Sequence, residues 1–352
     1  MESLIEKTNR ENKKLKHKIK RQSYEVRYYK NKYEAEIKRR YNDERFIEEI
    51  KSALHIVKPL KPYKYERTPT KHREQELVLL FSDCQIGEKI QERETGYREY
   101  NIDEFGKRLE SLYTSVLNIT NRHRKDCDIN TLNIFTLGDI VEGRAIFCGQ
   151  SARVTTDVVE QVFEGQEMIA NFIRSLAKHY KKIKVPCVPG NHGRVGMKDE
   201  ELTWVNWDYV VYRNLEQILK RVKNVEFDVD KKWWKIVTVQ GWKFYLEHGD
   251  RIKKYWSIPW YGLERGDNRV LKMMRALGKD YDYFIIGHHH VPFEWDANYG
   301  ERICNGTFSS GNPYAMRDLK VVARPTQKLF GVHKDIGITF RYNIRMDFPK
   351  TS

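Results

Sequence analysis

The sequence lacks the features of a membrane protein and of a disulfide-bonded one. Its 352 residues include only five cysteines, an odd number with no CxxC pair, which argues against a disulfide framework and a thiolate zinc site. No apolar run approaches the roughly 20 residues that a membrane-spanning helix needs, and the charged N-terminus has no signal-peptide segment. We therefore expect a cytoplasmic protein with no membrane partner.

Acidic residues are fewer than basic residues, both in residues 1–55 and in the rest of the chain. The formal net charge is +15, of which residues 1–55 carry +6 with 16 Lys and Arg against 10 Asp and Glu. Such an excess favours a polyanionic partner, with nucleic acid or an anionic surface as the candidates and non-specific attraction as the alternative. Hydrophobic residues make up 40% of the chain, so most of it should fold into a packed core.

Glycine and proline are absent from residues 1–55, which are dense in Lys, Glu and Arg and so predict one long helix. Positions spaced by seven are Ile5, Asn12, Ile19, Val26, Tyr33, Arg40, Ile47 and Leu54. The second apolar set includes Leu15, Tyr29, Ile50 and Val57 but is interrupted by Gln22, Glu36 and Asp43. The pattern predicts a homodimeric coiled coil through residues 1–57 or a single amphipathic helix lying on its own domain or on DNA.

Prolines separate this helix from the rest of the chain. Pro59, Pro62 and Pro69 predict an extended linker at residues 58–75, followed by one folded domain at residues 76–352. Within that domain, five apolar runs that end in polar clusters alternate with helical patterns near residues 104–122, 156–180 and 202–221. This layout predicts an α/β fold. Further strand-like runs after residue 292 suggest a second sheet that completes a sandwich.

Polar side chains follow the five apolar runs. They are Asp83, Gln85, Asp139, Asn191, His192, His248, His288, His289 and His290. Because ligands bind at the carboxyl ends of strands in such sheets, we expect these side chains to converge. Oxygen and imidazole donors without thiolates suit Mn²⁺, Fe or Zn²⁺, and this many ligands suit two ions better than one. Strand alternation would turn Asp83 with Gln85, and His288 with His290, to one side, leaving His289 elsewhere.

Five ordered motifs, FSDCQIG, LGDIVEG, VPGNHG, LEHGD and IGHHH, are spread over roughly residues 76–295. They resemble the motifs of the calcineurin-like metallophosphoesterase superfamily, and together with the basic charge they make the chain most similar to its DNA-repair exonuclease branch. The resemblance implies a four-layer sandwich of two mixed β-sheets flanked by helices. It also implies two divalent metal ions at the sheet ends, Mn²⁺ foremost, with Mg²⁺, Fe or Zn²⁺ as alternatives.

The resemblance also implies a role for each residue. Asp83, Asp139 and His290 would bind the first ion, with Gln85 where the family has a histidine. The second ion would be bound by Asp139, Asn191, His248 and His288, so that Asp139 bridges the two. His192 matches the family histidine that contacts the scissile phosphate and assists leaving-group departure, and the attacking group would be a metal-bound hydroxide.

Two positions depart from the family pattern. Gln85 offers an amide oxygen that binds a metal more weakly than imidazole, and Gly193 stands where an acidic residue usually follows the GNH sequence. Glu142 either supports His192 or is a solvated carboxylate. Taken alone, each motif residue could be a turn residue, a helix cap or a surface histidine. An active site is favoured because such residues follow all five predicted strands.

A basic and aromatic segment follows His248. Arg251, Lys253, Lys254 and Arg265 alternate there with Tyr255, Trp256, Trp260 and Tyr261. Cations that follow phosphates and aromatic faces that stack on bases are typical of single-strand contacts, whereas the alternative for the aromatics is core packing. We expect substrate contacts from Arg251, Lys253, Lys254, Tyr255, Trp256 and Arg265.

The sequence thus favours a two-metal nuclease acting on DNA. The alternatives are a phosphatase for phosphoproteins or small phosphomonoesters, and a nucleic-acid-binding protein with a degraded metal site. The related exonucleases work with a coiled-coil ATPase, but the sequence has no clear C-terminal extension for docking one, so that partner is not expected. By resemblance, a small basic nuclease of this kind would suit a phage or mobile element.

Overall fold

The computed structural model describes residues 4–56, 73–144, 146–147, 149–252, 259–297, 300–311, 313, 316–317 and 322–347. Contacts between residues divide the chain into two units, Met1–Glu66 and Arg67–Ser352. The predicted linker falls largely on residues 57–72, outside the described residues.

The first unit contains the long helix α1, Leu4–Ile56, which confirms the helix predicted from the absence of glycine and proline. Ion pairs four residues apart, such as Arg21 with Glu25 and Arg45 with Glu49, add a few tenths of a kcal/mol each at this exposure. Its apolar side chains are exposed as well. They are Leu15, Ile19, Val26, Tyr29, Tyr33, Ile37, Ile47 and Ile50. A helix with an exposed apolar stripe gains little stability by itself.

The second unit is built from eleven named strands and five named helices in the part of the chain that is described. The strands are β1 Glu74–Phe81, β2 Asp128–Thr136, β3 Lys182–Cys187, β4 Val225–Val229, β5 Trp234–Val239, β6 Trp242–Glu247, β7 Tyr283–Ile286, β8 Phe293–Ala297, β9 Gly300–Cys304, β10 Thr326–His333 and β11 Gly337–Arg345. The helices are α2 Glu92–Thr95, α3 Ile102–His123, α4 Val158–Ala177, α5 Trp207–Ile218 and α6 Pro259–Ala276. A 3₁₀ turn covers Gln150–Arg153.

The strands form two mixed sheets. The first has the order β11-β10-β1-β2-β3-β4, with β1 to β4 parallel and β10 antiparallel to β1. The second has the order β5-β6-β7-β9-β8. The expectation that the runs after residue 292 form the second sheet is therefore correct for β9 and wrong for β10 and β11. Strand β10 is buried along its whole length, because it lies beside β1 inside the first sheet.

Three apolar cores separate four layers. On β1, Leu77, Leu79 and Phe81 face helices α3, α4 and α5, whereas the alternate residues Val78 and Leu80 face the second sheet. Helix α6 covers the outer face of the second sheet through Leu271 and Met274. The order helices, sheet, sheet, helix confirms the predicted four-layer α/β sandwich of two mixed sheets flanked by helices.

Two further expectations concern composition. In the described part of the chain, no helix is both long and apolar enough to cross a membrane. The described cysteines are free thiols, and three of them, Cys84, Cys187 and Cys304, are buried as core fillers.

Candidate metal centre

The predicted site residues lie just beyond the strand ends, in loops. Strands β1, β2 and β7 end at Phe81, Thr136 and Ile286. Alternation along a strand is therefore not what orients the side chains. Five of them instead have left-handed backbone conformations with φ between 44° and 66°: Asp83, Gln85, Asp139, His288 and His290. Such conformations are costly outside glycine and tend to cluster at functional sites.

One group of side chains surrounds Asp83. Its Oδ1 atom lies 3.3 Å from Nε2 of His290 and accepts a hydrogen bond of 3.1 Å from the backbone N–H of His288. The same Nε2 atom of His290 lies 3.2 Å from Nε2 of Gln85. The amide oxygen of Gln85 is buried and has no hydrogen-bond partner among the described residues. Three potential ligands thus meet around one small space.

A second group surrounds Asp139. The Nε2 atom of His248 lies 3.0 Å from Oδ2 of Asp139 and 2.9 Å from Oδ1 of Asn191. Its Nδ1 atom is 2.7 Å from the carbonyl oxygen of Leu137, which can only accept, so Nδ1 carries a proton and Nε2 faces the ligand side. The ligand atoms of Asp139, His248 and His288 all lie within 4.8 Å of one another.

The two groups are joined through the backbone and through neighbouring rings. The N–H of Asp83 donates to the carbonyl of Gly138, and that of Gln85 donates to the carbonyl of Asp139, over 3.1 and 3.0 Å. The rings of His248 and His288 are 5.1 Å apart. His289, expected not to be a ligand, instead lies beside Phe293, with ring centroids 6.2 Å apart.

The donor chemistry fits divalent cations. The amide oxygen of Gln85 is buried without a hydrogen-bond partner within the described residues. The Oδ2 atom of Asp139 is buried as well, and it faces the Nε2 atoms of His248 and His192 at 3.0 and 3.9 Å. A buried carboxylate needs a cationic partner, which a protonated imidazole or a bound metal ion can supply. Carboxylate, amide and imidazole donors without thiolate suit hard or borderline ions. The seven predicted metal residues are therefore brought together in an arrangement that can hold metal, although their roles as ligands stay predictions.

The electrostatics of the site point the same way. Burial disfavours charge, yet the carboxylate of Asp139 raises the pKa of His248 to about 10. In return, the imidazoles of His248 and His192 outweigh burial and hold the pKa of Asp139 well below its usual value. Burial and the neighbouring His248 lower the pKa of His288. The carboxylate of Asp139 attracts positive charge, and a dication would displace the additional proton of His248.

His192 is held on one side of this centre by Glu142. Its Nδ1 atom lies 2.9 Å from Oε2 of Glu142, and its backbone N–H donates over 2.8 Å to Oδ1 of Asp139. The ring's Nε2 atom is 3.9 Å from Oδ2 of Asp139. Burial lowers the basicity of the ring, but Glu142 and Asp139 together raise the pKa of His192 to about 10. Glu142 was expected either to support His192 or to be a solvated carboxylate, and its contact with Nδ1 of His192 favours the first role.

Asp208 is a site residue that the sequence analysis missed. Its fully buried carboxylate accepts backbone hydrogen bonds from Asp139, Ile140, Val141 and Gly190, at 2.8 to 3.3 Å. One carboxylate on α5 thereby clamps the two loops that carry Asp139 and Asn191. Burial and the charge of Asp139 raise the pKa of Asp208 to about 6. The only sequence signal is Asn206, whose side chain caps α5 two residues earlier.

Packing around the clamp explains the glycine that replaces the usual acid after Asn191 and His192. A Cβ atom on Gly193 would lie 2.3 Å from Oδ1 of Asn206 and 3.0 Å from Cγ of Asp208. The side chains of α5 thus fill the space that an acidic residue at position 193 would enter. Gly190 is required for a similar reason, because a Cβ atom there would lie 2.1 Å from Oδ1 of Asp139.

The predicted nucleic-acid contacts are only partly covered by the structure. Arg251 is exposed and pairs with Asp199 at 2.6 Å, and Arg265 is exposed on α6. Lys253, Lys254, Tyr255 and Trp256 lie outside the described residues, as do the side chains of Trp260 and Tyr261. Contact of this segment with DNA stays a prediction.

Replacing Gln85 by histidine tests whether this position is a ligand. Histidine is among the residues that adopt left-handed backbone most readily, and its imidazole is a stronger donor than an amide. We expect Gln85→His to tighten binding of Mn²⁺ to the weaker site by about tenfold in calorimetric titration. Gln217→His, on an exposed face of α5, is the control. Unchanged affinity in Gln85→His would show that residue 85 does not touch the ion.

Comparisons with known proteins concern the fold. The sequence matches no family model and no curated protein sequence. Among solved structures, the chain is similar to Vps29 of Entamoeba histolytica complexed with Zn²⁺, at 12% identity and a TM-score of 0.33, covering 76% of this chain and 99% of that one. An archaeal phosphodiesterase matches at 14% identity and a TM-score of 0.34, again over 76% and 99%. A predicted phosphoesterase of Streptococcus pneumoniae matches at 11% and 0.29, over 76% and 98%. At these values the likeness is one of fold alone.

Proposed function

We propose that the chain is a metal-dependent phosphodiesterase that hydrolyses DNA. The observation that carries the proposal is the buried carboxylate of Asp139, whose Oδ2 atom lies 3.0 Å from Nε2 of His248 and 3.9 Å from Nε2 of His192, at the meeting point of two groups of oxygen and imidazole donors. Asp83, Gln85 and His290 would hold one ion, and Asn191, His248 and His288 the other. Asp139 would bridge them.

Two bound divalent ions would polarise the phosphoryl group and lower the pKa of water. The chain's own contribution is to fix geometry and to move a proton. Glu142 holds Nδ1 of His192, so that Nε2 is turned towards the metal centre. From there the imidazole can donate a proton to the departing oxygen of a phosphodiester. Loops pinned by Asp208 keep the donor atoms in place when substrate binds.

The Glu142 contact predicts a specific kinetic defect. In Glu142→Gln the ring of His192 loses its anionic partner but keeps its place, so we expect kcat to fall by about 10- to 100-fold with little change in KM. Steady-state hydrolysis of a phosphodiester measures both constants. Glu160→Gln, an exposed carboxylate on α4, should behave as the wild type. A rise in KM at unchanged kcat would assign Glu142 to substrate binding instead.

The positive net charge of the chain favours DNA over other phosphoesters as the substrate. The net charge of +15 suits a polyanion, and counterion release should make binding strongly dependent on salt. The direct test compares Mn²⁺-dependent release of nucleotides from labelled DNA with turnover of a chromogenic phosphomonoester. Dominant monoester turnover with intact DNA would replace the nuclease with a phosphatase. Salt-dependent DNA binding without bound metal at saturating Mn²⁺ would indicate a binding protein with a degraded site.

For α1 we propose pairing with a second copy of the chain. The apolar stripe on the helix is exposed, and Tyr33 lies in the predicted seam whereas Tyr24 lies opposite it. We expect a dimer in sedimentation experiments, with Tyr33→Glu raising its dissociation constant at least about tenfold because a charge enters the seam. Tyr24→Glu is the matched control. A wild-type monomer, or equal effects of both substitutions, would contradict pairing through this face.

A further inference from the structure

An exposed phenylalanine packs on the imidazole assigned to the leaving group. The ring of Phe147 is 43% exposed, and its centroid lies 5.0 Å from that of His192, with the two planes at 52°. Its remaining surface faces solvent beside the centre that the metal-binding residues form. An exposed aromatic ring beside a candidate active site is available to stack on a ligand.

The loop that carries Phe147 is fixed by one buried glutamine. The Oε1 atom of Gln150 accepts from the backbone N–H groups of Ile146 and Phe147, at 3.0 and 3.4 Å. Its Nε2 atom donates to the carbonyl and the carboxylate of Glu142, at 2.7 and 3.1 Å. The same side chain therefore positions both Phe147 and the partner of His192. Because the backbone that carries the Phe147 ring is already fixed, the ring loses little conformational entropy when a flat ligand stacks on it.

Arg194 completes the surface. Its guanidinium carbon is 5.9 Å from the centroid of the Phe147 ring, and its Nε atom donates over 2.9 Å to the carbonyl of Asn191. Its Nη1 atom is buried without a hydrogen-bond partner in the part of the chain that is described. A guanidinium next to an aromatic face can meet a phosphate oxygen of a bound strand.

We propose that Phe147 and Arg194 form a stacking subsite for the nucleobase on the leaving-group side of the scissile phosphodiester. The proposal rests on the proposed function and names what that site recognises. Because Phe147 packs on His192, a base stacked on it would belong to the nucleotide whose oxygen receives the proton. Phenylalanine has no polar atom to read a base, so the subsite accepts any of the four bases. The basic character of the chain favours a nucleotide over a phosphorylated tyrosine.

Binding of a short single strand tests the subsite without relying on hydrolysis. The full-length chain with Mn²⁺ is titrated into oligonucleotides with phosphorothioate linkages, which carry either 2-aminopurine or an abasic residue at one position. Stacking should quench 2-aminopurine fluorescence, and Phe147→Leu should remove the quenching and weaken binding about tenfold. Phe147→Trp should keep both. For the abasic strand, wild type and Phe147→Leu should bind alike.

Two controls separate stacking from surface effects. Phe163→Leu, an exposed phenylalanine on α4, should leave quenching and affinity unchanged. Arg194→Lys keeps the charge but loses the planar guanidinium, so it should weaken binding of the base-containing strand more than that of the abasic strand. If Phe147→Leu changes neither quenching nor the preference for the base-containing strand, the subsite does not exist and Phe147 merely covers His192.

Failure of this inference is distinguishable from failure of the proposed function. Quenching that depends on Phe147 in a chain that leaves unmodified DNA intact would keep the subsite and remove the nuclease. DNA hydrolysis that proceeds equally well next to a base and next to an abasic residue, with no effect of Phe147→Leu, would keep the nuclease and overturn the subsite.

Discussion

Replacing Asp139 by asparagine should lower the rate of metal-dependent phosphodiester hydrolysis by at least about a thousandfold. The Oδ1 atom of Asp139 accepts the backbone N–H of His192, so an asparagine would keep its carbonyl oxygen there. Its NH₂ group would then take the place of Oδ2, the atom that lies 3.0 Å from Nε2 of His248. An amide nitrogen cannot bind a cation, and the negative charge that the two proposed ions would share is lost.

The expected defect is chemical rather than structural. Asparagine has the same shape as aspartate and keeps the hydrogen bond from His192, so the far-UV circular dichroism of the apoprotein should be unchanged, while loss of the carboxylate that pairs with His248 lowers its stability at neutral pH. Calorimetry should show fewer bound Mn²⁺ ions per chain in Asp139→Asn than in the wild type. Asp296→Asn, an exposed carboxylate on β8, should retain full activity and metal content. Activity within tenfold of the wild type in Asp139→Asn would rule out a bridging role.

The convergence of the site residues could be predicted because short local motifs in the sequence indicate it. Asp83, Asp139 and His288 each follow an apolar run and a neighbouring glycine or serine, and such runs are strands whose ends meet. The proposed reason for their orientation was incomplete. The side chains stand in left-handed loop residues beyond the strands, and no periodicity of the sequence reveals that conformation.

Contacts made by distant residues could not be predicted in the same way. The membership of β10 in the first sheet depends on its pairing with β1, more than 240 residues earlier, and a buried apolar run is compatible with either sheet. The clamp by Asp208 arises on a helix that carries no site motif. Gln150 and Phe147 likewise lie in a loop whose sequence has no periodic pattern.

Removing the carboxylate of Asp208 should have the largest effect on stability. Its two oxygens accept four backbone hydrogen bonds at 2.8 to 3.3 Å in a fully buried position. In Asp208→Ala these N–H groups would stay buried without an acceptor, and each such group costs about 1–3 kcal/mol with losses that are not additive. We therefore expect the free energy of unfolding to fall by about 3–5 kcal/mol in denaturant titrations.

Helix α3 provides a matched control for this substitution. Asp103 is the second residue of α3, as Asp208 is of α5, but it is exposed. Its removal reports only the interaction of a carboxylate with the start of a helix, about 0.3–1 kcal/mol. The loss of unfolding free energy in Asp208→Asn should lie between those in Asp208→Ala and Asp103→Ala. The amide oxygen still accepts hydrogen bonds from some of the backbone N–H groups, whereas the NH₂ group faces the others without an acceptor.

The same substitution should act on the metal centre at a distance. The donors to Asp208 include Asp139 and Gly190, so freeing them loosens the loop that carries the proposed bridging carboxylate and the loop that leads to Asn191. Mn²⁺ affinity of Asp208→Asn, which keeps more of the fold, should therefore drop about 10- to 100-fold although residue 208 is not a predicted ligand. If Asp208→Ala loses no more stability than Asp103→Ala and Asp208→Asn keeps its Mn²⁺ affinity, the loops are held by their glycine contacts and not by this carboxylate.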